Sequence, residues 1–198
     1  MSAPSFLLVG ITDGSPQSQD IPTLAALLAN GLDFLYWRSA VQEASPDRLP
    51  PDKQASVLLS ASRPDAVRPP FRWHVKEADR QWLTGREAAP FSTSIHHLSE
   101  WANLAGRVSM VFYSPVFASI SKPGYGPSVS LDTIGRQLLA LREQHTQLPL
   151  LIGLGGITAK NVALVRQAGF DGAALMGGLW QQPDPVGALT EIKASVGR

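Results

Sequence analysis

The sequence predicts an α/β fold, an eight-stranded parallel barrel of the TIM (β/α)8 type, on the basis of three observations. Short runs rich in leucine and β-branched residues alternate with helical patterns almost from end to end, which is typical of parallel βαβ units. Eight such runs are present, and eight parallel strands close most naturally into a barrel. Two glycine pairs near the C-terminus each follow an apolar run and open a helical segment. An open, doubly wound sheet is the alternative, but its glycine fingerprint normally follows the first strand, where residues 11–14 carry none.

Five strands are predicted in the first half of the chain, over residues 6–12, 33–38, 56–60, 71–75 and 90–94. Asp20 is the expected cap of the first helix, which ends at Asn30-Gly31. Six of the 16 prolines lie within residues 41–70, so no full helix fits between the second and third strands. We therefore expect the helices between strands two and four to be shortened or missing, which explains a chain about 50 residues shorter than a typical barrel.

The second half of the chain carries the remaining three strands and the longer helices. Its predicted elements are, in order, a helix over residues 95–104, a strand over 108–113, a helix from Ser130 to about Gln144, a strand from 148 that breaks at the first glycine pair, a helix capped by Thr158 that runs to Gly169, a strand and short helix within 171–180, and a last helix from Asp184-Pro185. Residues 1–198 are expected to form a single domain.

The composition excludes several classes of function. A formal net charge of +1 provides no field that would gather nucleic acid or an acidic membrane surface. The chain has no cysteine, which excludes disulfides, thiolate nucleophiles and thiolate metal sites. The sequence contains neither a signal peptide pattern nor an apolar stretch long enough to cross a membrane, so a cytoplasmic protein is expected.

The glycine pairs Gly155-Gly156 and Gly177-Gly178 are the strongest local signal for a ligand. Helix starts expose free N–H groups at the positive end of the dipole, and glycine lets the backbone approach an anion closely. Two adjacent units of this kind near the C-terminus match the usual phosphate site of an eight-stranded barrel. Tight turns without a ligand are the alternative interpretation.

The loop after the sixth strand is the second signal. It brings Ser119, Ser121 and Lys122 together between turns shaped by glycine and proline, and hydroxyls with a lysine can hold a pyrophosphate. An ordinary polar loop is the alternative. His74 lies inside an apolar strand and is expected to pack in the core, whereas His96 follows the fifth strand, where it can face a site.

Three motifs show that the chain resembles the thiamine phosphate synthase/TenI family over nearly its whole length. The family's Ser-x-His near strand five appears as Ser94-Ile-His96. Its Gly-Pro-Val-Phe-x-Thr-x-Thr-Lys after strand six appears as residues 114–122, with serine in place of threonine. Its Gly-Ile-Gly-Gly-Ile-Thr appears as residues 153–158.

The resemblance implies a role in thiamine biosynthesis. The synthase of this family joins hydroxymethylpyrimidine pyrophosphate to thiazole phosphate and releases pyrophosphate with the help of Mg²⁺. The residues that the resemblance assigns to the pyrophosphate are Arg38, Ser94, Ser119, Ser121 and Lys122, and those assigned to the thiazole phosphate are Gly155, Gly156 and Gly177. Lys122, Arg38 and His96 are the candidate catalytic residues. The candidate substrate-binding residues are Tyr36, Ser94, Ser119, Ser121, Gly155, Gly156, Met176, Gly177 and Gly178.

The chain also departs from the family pattern. The motif Gln-Leu-Arg-Glu-Lys after strand two appears as residues 36–40, which keep Arg38 but lose the glutamine and lysine. The Asn-Asp after strand three, whose aspartate binds Mg²⁺, falls near residues 60–62 and has no carboxylate equivalent there. The second metal aspartate corresponds to Asp79. Mg²⁺ is therefore expected to bind poorly to the free protein and to arrive with the pyrophosphate, and Lys76 can replace some of the missing positive charge.

Three functions remain open, and a fourth, a different phosphosugar barrel enzyme, is disfavoured by the Ser-x-Ser-Lys loop. The first is a divergent thiamine phosphate synthase, and the second is a TenI-like thiazole tautomerase, whose family histidine falls on Pro115 here. The third is a barrel that binds thiamine precursors without catalysis. Expected partners are phosphorylated small molecules and no nucleic acid or membrane. A homodimer is a further expectation, with Trp82, Trp101 and Trp180 as candidate interface anchors and core or loop packing as the alternative.

Overall fold

Eight parallel strands form a closed barrel in the computed structural model, which describes residues 5–38, 45–84, 90–119, 124 and 126–198, the side chains of 82–84 excepted. Each strand pairs with the next in sequence, and β1 pairs with β8 to close the sheet. The strands are β1 (Leu7–Ile11), β2 (Phe34–Trp37), β3 (Val57–Ser60), β4 (Arg72–Val75), β5 (Ser92–Ile95), β6 (Met110–Tyr113), β7 (Leu150–Leu154) and β8 (Gly172–Leu175). The predicted barrel is confirmed, and an open sheet is excluded.

The α-helices are concentrated in the first unit and the last three units of the barrel. Within the described residues they are α1 (Ile21–Ala29), α2 (Pro51–Gln54), α3 (Leu131–Gln144), α4 (Val162–Gln167), α5 (Gly177–Trp180) and α6 (Pro185–Ser195). The described helical elements that flank β3 are short, as the prolines predict: the four-residue α2 and 3₁₀ turns at Pro46–Arg48 and Pro64–Ala66. The shortening extends further than predicted, because Glu77–Thr84 after β4 is a 3₁₀ helix.

The predicted helix over residues 95–104 is wrong. Ile95 pairs with Tyr113 and is the last residue of β5, and the chain then makes two 3₁₀ turns, Leu98–Glu100 and Ala102–Leu104. Pairing with β6 therefore outweighs the local helical pattern, as tertiary contacts often do. The segment is fixed by Trp101, whose fully buried indole donates from Nε1 to the Pro149 carbonyl at 2.9 Å.

Three of the four predicted helix caps are confirmed. The Asp20 carboxylate accepts from the Thr23 amide at the start of α1, and the Ser130 and Asp184 side chains cap α3 and α6. Thr158 is not the cap of α4, which begins only at Val162. The Asn161 side chain instead accepts from the Thr158 amide at 2.8 Å and donates to the Gly156 carbonyl at 2.9 Å, which closes a turn and delays the helix.

The hydrophobic core has two layers. One lies inside the barrel, and the larger one lies between the strands and the surrounding helices and turns. Trp180 belongs to the outer layer, where its Nε1 donates to the Ile11 carbonyl at 2.6 Å. Trp101 lies in the same layer, so both indoles pack in the core of their own chain and not at a surface. The residues buried inside the barrel are Val9, Ile11, Tyr36, Leu58, Met110, Phe112, Ile152 and Ala174.

Candidate active site at the carboxyl ends of the strands

The candidate site lies above the inner core, and the alternation of side chains along the strands explains which residues form it. Side chains two positions apart in a strand point to the same face. Arg38 therefore follows the inward-facing Tyr36, Lys76 follows His74, and Ser94 follows Ser92, so that each lies at the carboxyl end of the barrel. There they line a cavity of about 450 Å³. Of the predicted residues, this cavity brings together Tyr36, Arg38, Ser94, His96, Ser119, Gly155 and Met176.

The floor of this cavity is aromatic and uncharged. The rings of Tyr36 and His74 lie 4.4 Å apart, and Phe112 packs against both. Burial lowers the pKa of His74 to about 3, with the charge of Lys76 acting in the same sense. Burial also raises the pKa of Tyr36. His74 Nδ1 lies 2.9 Å from Ser92 Oγ, so its polar edge has a partner in the core, as predicted. A flat, neutral group is the ligand that fits this floor.

Protein stability is expected to fall with decreasing pH because of His74. Its pKa is about 3 in the folded state and 6.5 in the ordinary case, so between these values the unfolded chain binds a proton that the folded chain does not. The contribution of His74 to the free energy of unfolding is fully present above pH 6.5. It decreases as the pH falls, so that the free energy of unfolding is lower by about 2 kcal/mol at pH 5. Urea unfolding of His74→Gln between pH 5 and 7 should show a shallower pH dependence than the parent protein. The exposed His145→Gln serves as the control, and equal slopes in all three proteins would contradict the prediction.

Two cations face the cavity without a carboxylate partner. Lys76 lies beyond the end of β4, and Arg38 lies beyond the end of β2, where the Thr12 hydroxyl accepts from its amide at 2.9 Å. Over the described part of the chain, neither side chain makes an ion pair. Unpaired cations at the mouth of a cavity favour an anionic ligand.

His96 lies just beyond the end of β5, the strand next to β4, in a defined orientation. Its Nδ1 lies 2.8 Å from the Ser114 carbonyl oxygen and therefore donates to it, which leaves Nε2 as the free ring nitrogen. Nε2 lies 3.8 Å from Oε2 of Glu77, and both side chains line the cavity. An imidazole held in this way can accept a proton at Nε2 from a bound ligand.

Arg80 fixes the wall that carries these groups, and the sequence interpretation did not single it out. Its Nη1 lies 2.5 Å from the Glu100 carboxylate, its Nη2 donates to the Ser94 carbonyl, and its Nε donates to Thr93 Oγ1 at 3.4 Å. The guanidinium therefore joins the 3₁₀ helix after β4 to the end of β5. Burial opposes ionisation of Glu100, but the hydrogen bonds and charge of Arg80 lower its pKa overall. Because these contacts join distant parts of the chain, no local motif predicts them.

The glycine pairs form a smaller recess beside the main cavity. A space of about 50 Å³ adjoins Gly155, Gly156 and Gly177, and Ser119 and Met176 also line it. Gly155 and Gly156 have φ values of +108° and +63°, which only glycine adopts readily. Gly178 is not among the residues that line the recess. It packs against the Ile157 carbonyl, so closely that an added Cβ would lie 2.4 Å from the carbonyl oxygen. Its role in the described structure is close packing.

Among the described site residues, no metal centre is formed. Ser121 and Lys122 lie outside the described residues. Asp79 does not line the cavity, and the described residues contain no cluster of three histidine, cysteine, aspartate or glutamate side chains. Glu77 is the carboxylate of the lining, and it lies beside Lys76, His96 and Arg80. Mg²⁺ requires oxygen ligands in a near-octahedral arrangement, so this donor set does not fit a resident divalent cation.

The closed parallel barrel and the cavity at its carboxyl end place the protein among the TIM-type α/β barrels. A family model described as thiamine monophosphate synthase matches residues 72–179, more than half of the 198 residues. The protein therefore belongs to this family, and the resemblance given by the motifs is confirmed.

Individual relatives match parts of the chain. The thiamine-phosphate synthase of Bordetella bronchiseptica is 39% identical over 85 residues, which are 42% of this chain and 38% of the relative. That of Laribacter hongkongensis is 29% identical over 128 residues, 63% of this chain and 58% of the relative. The chain thus spans less than two thirds of the length of these curated relatives.

Solved structures with the same fold cover almost the whole chain. A thiamine phosphate pyrophosphorylase from Bacteroides thetaiotaomicron superposes with a TM-score of 0.71 at 18% identity, covering 97% of this chain and 98% of the other. A 3-hexulose-6-phosphate synthase superposes with a TM-score of 0.65 at 17% identity, covering 96% and 100%. At these identities the likeness shows the barrel fold alone. Among the described residues, no helix is long and apolar enough to cross a membrane.

Proposed function

We propose that the protein is a thiamine-phosphate-synthase-like transferase. It would couple hydroxymethylpyrimidine pyrophosphate with thiazole phosphate and release pyrophosphate. The observation that carries the proposal is the cavity of about 450 Å³ with Arg38 and Lys76 at its mouth, adjoining the recess formed by the glycine pairs. Family membership and the names of the curated relatives support the same reaction.

Each part of the cavity has a separate role in this proposal. The neutral floor of Tyr36 and His74, which Phe112 supports from below, accepts the pyrimidine ring by stacking. The glycine recess accepts the phosphate of the thiazole through backbone N–H groups. When the bond to the pyrophosphate breaks, its electron pair stays on the pyrophosphate oxygen. Arg38 and Lys76 stabilise the charge that grows there, and Lys122 is proposed to act with them.

The test is a coupling assay with both substrates, in EDTA and in Mg²⁺, with thiamine phosphate as the measured product. The parent protein is expected to form the product, and Lys122→Ala is expected to lose at least about 100-fold in rate while still binding thiazole phosphate. Lys53→Ala is the matched control, since Lys53 lies on α2 and pairs with Asp52 at 3.1 Å. No product under either condition, or full activity in Lys122→Ala, would contradict the proposal.

A tautomerase of the TenI type is the second candidate, and the orientation of His96 favours it. Isomerisation of the thiazole requires one group to remove a proton and return it, and Nε2 of His96 faces the cavity next to Glu77. This candidate predicts no coupling product, but solvent deuterium incorporation into the thiazole that is lost in His96→Gln. Binding of thiazole phosphate without either reaction would favour a non-catalytic role.

The proposal also concerns the metal ion, the cellular location, the oligomeric state and the class of ligand. The Mg²⁺ that the resemblance implies is assigned no step, because the described donor set does not fit a resident ion. A cytoplasmic location and a homodimer stay predictions, and the buried Trp101 and Trp180 are not available as anchors of a dimer. Phosphorylated small molecules are the proposed ligands.

A further inference from the structure

We infer that this site binds the pyrophosphate group without a divalent cation, with Lys76 and Arg38 supplying the positive charge. The inference rests on the proposed function, because it concerns the pyrophosphate part of the same site. It starts from the disagreement between the Mg²⁺ that the family resemblance implies and the residues that this chain places at the cavity.

The cavity wall contains more cations than carboxylates. Glu77 contributes the carboxylate of the lining, and its two oxygens already face Arg80 at 3.9 Å and His96 at 3.8 Å. A divalent cation bound to Glu77 would share the cavity with Lys76 and Arg38, two groups of the same sign. Repulsion between such charges is strong where water is partly excluded. The described wall therefore favours an anion and disfavours a metal ion.

The two cations lie on either side of one strand, β3. Tyr36 pairs with Leu58 and Ser60 pairs with His74, so Arg38 and Lys76 lie on either side of the end of β3. Their backbones lie two strand spacings apart, roughly 10 Å. Two long side chains can therefore both reach one pyrophosphate bound between them. The chain that follows β3 begins Ala61-Ser62, whose small side chains leave room for the anion.

One lysine and one arginine together carry the same formal charge as one divalent ion. Lys76 and Arg38 both line the cavity whose floor contains His74 and Tyr36. Burial lowers the pKa of His74, and the charge of Lys76 acts in the same sense. Burial raises the pKa of Tyr36, and a hydrogen bond to Ser60 and the charge of Arg38 partly offset this effect. A guanidinium with an ammonium also donates hydrogen bonds to phosphate oxygens, which completes the binding of the anion.

The test measures binding of inorganic pyrophosphate by titration calorimetry, first in EDTA and then in excess Mg²⁺. The parent protein is expected to bind in EDTA, with an affinity that Mg²⁺ changes by less than about threefold. Lys76→Ala should weaken binding in EDTA by about tenfold or more, as loss of a charge-assisted hydrogen bond predicts. Lys76→Arg should retain it. The control Lys53→Ala should bind like the parent protein.

A complementary variant tests the same idea in the opposite direction. Lys76→Asp places a carboxylate at the end of β4, and it should bind pyrophosphate in Mg²⁺ better than in EDTA. Thermal unfolding of each variant establishes that it folds. Pyrophosphate binding by the parent protein only when Mg²⁺ is present would overturn the inference, and so would equal binding by Lys76→Ala and the parent protein in EDTA.

The coupling assay separates this inference from the proposed function. Binding in EDTA that depends on Lys76, together with no coupling product, would support the inference and contradict the synthase proposal. Coupling that occurs only with Mg²⁺, together with Mg²⁺-dependent binding, would support the synthase and overturn the inference.

Discussion

Replacement of Gly156 by alanine is expected to reduce the affinity for thiazole phosphate by about 100-fold while leaving the barrel folded. Gly156 has φ +63° and lines the recess beside the main cavity. A Cβ there would lie 2.8 Å from Phe117 Cβ and would overlap the Ala118 carbonyl oxygen. Because the obstacle is backbone, the loops after β6 and β7 must move apart, which takes the N–H groups of the recess out of position. Fluorescence or calorimetric titration with thiazole phosphate measures the effect.

Gly169→Ala provides the matched control for this prediction. Gly169 also has a positive φ, +96°, but it follows α4 and an added Cβ would meet nothing within 4 Å. Both variants therefore carry a similar backbone strain, of about 1 to 2 kcal/mol, and only Gly156→Ala adds the collision. We expect the control to unfold slightly more easily and to bind the ligand like the parent protein. Equal binding by both variants would show that the recess does not hold the phosphate.

Most of the strands were predictable because they are short apolar runs, which is typical of strands in a parallel barrel; β5, with the sequence Ser-Thr-Ser-Ile, has the weakest pattern of this kind. The proline-rich segment likewise predicted the missing helices, since proline removes backbone donors wherever it occurs. The errors lie where tertiary contacts decide. Residues 95–104 have a helical pattern, but pairing of β5 with β6 and burial of Trp101 replace it with strand and 3₁₀ turns.

The candidate site was predictable to the extent that it follows the strand ends. Arg38, Ser94 and His96 line one cavity because they lie at the carboxyl ends of β2 and β5. Its electrostatics were not predictable to the same degree. The orientation of His96 depends on the Ser114 carbonyl, and the wall depends on Arg80, and these partners lie between 14 and 20 residues away. Asp79, the predicted metal ligand, is not among the residues that line the cavity, and an Mg²⁺ site stays a prediction.

Replacement of Trp101 by alanine is expected to lower the free energy of unfolding by about 3 to 5 kcal/mol. The indole is fully buried, donates to the Pro149 carbonyl at 2.9 Å, and has the Arg142 guanidinium 5.1 Å from the centre of its ring. It joins the turns after β5 to the start of β7 and to α3, in a segment where no α-helix holds the chain. Its removal therefore leaves a large cavity and an unpaired carbonyl. Urea unfolding, followed by circular dichroism, measures the loss.

Trp101→Phe separates the two contributions and tests the alternative that this residue is an interface anchor. The phenylalanine ring fills most of the space but cannot donate to Pro149, so a loss of about 1 to 2 kcal/mol is expected. Because the indole packs against its own chain, sedimentation should give both variants the same mass as the parent protein at every concentration at which they are folded. A loss below about 1 kcal/mol in Trp101→Ala, or a change of mass without a loss of stability, would contradict the core assignment. The size of the loss would also show how much a barrel with so few outer helices depends on single large side chains, since each one covers strand surface that a helix covers elsewhere in the fold.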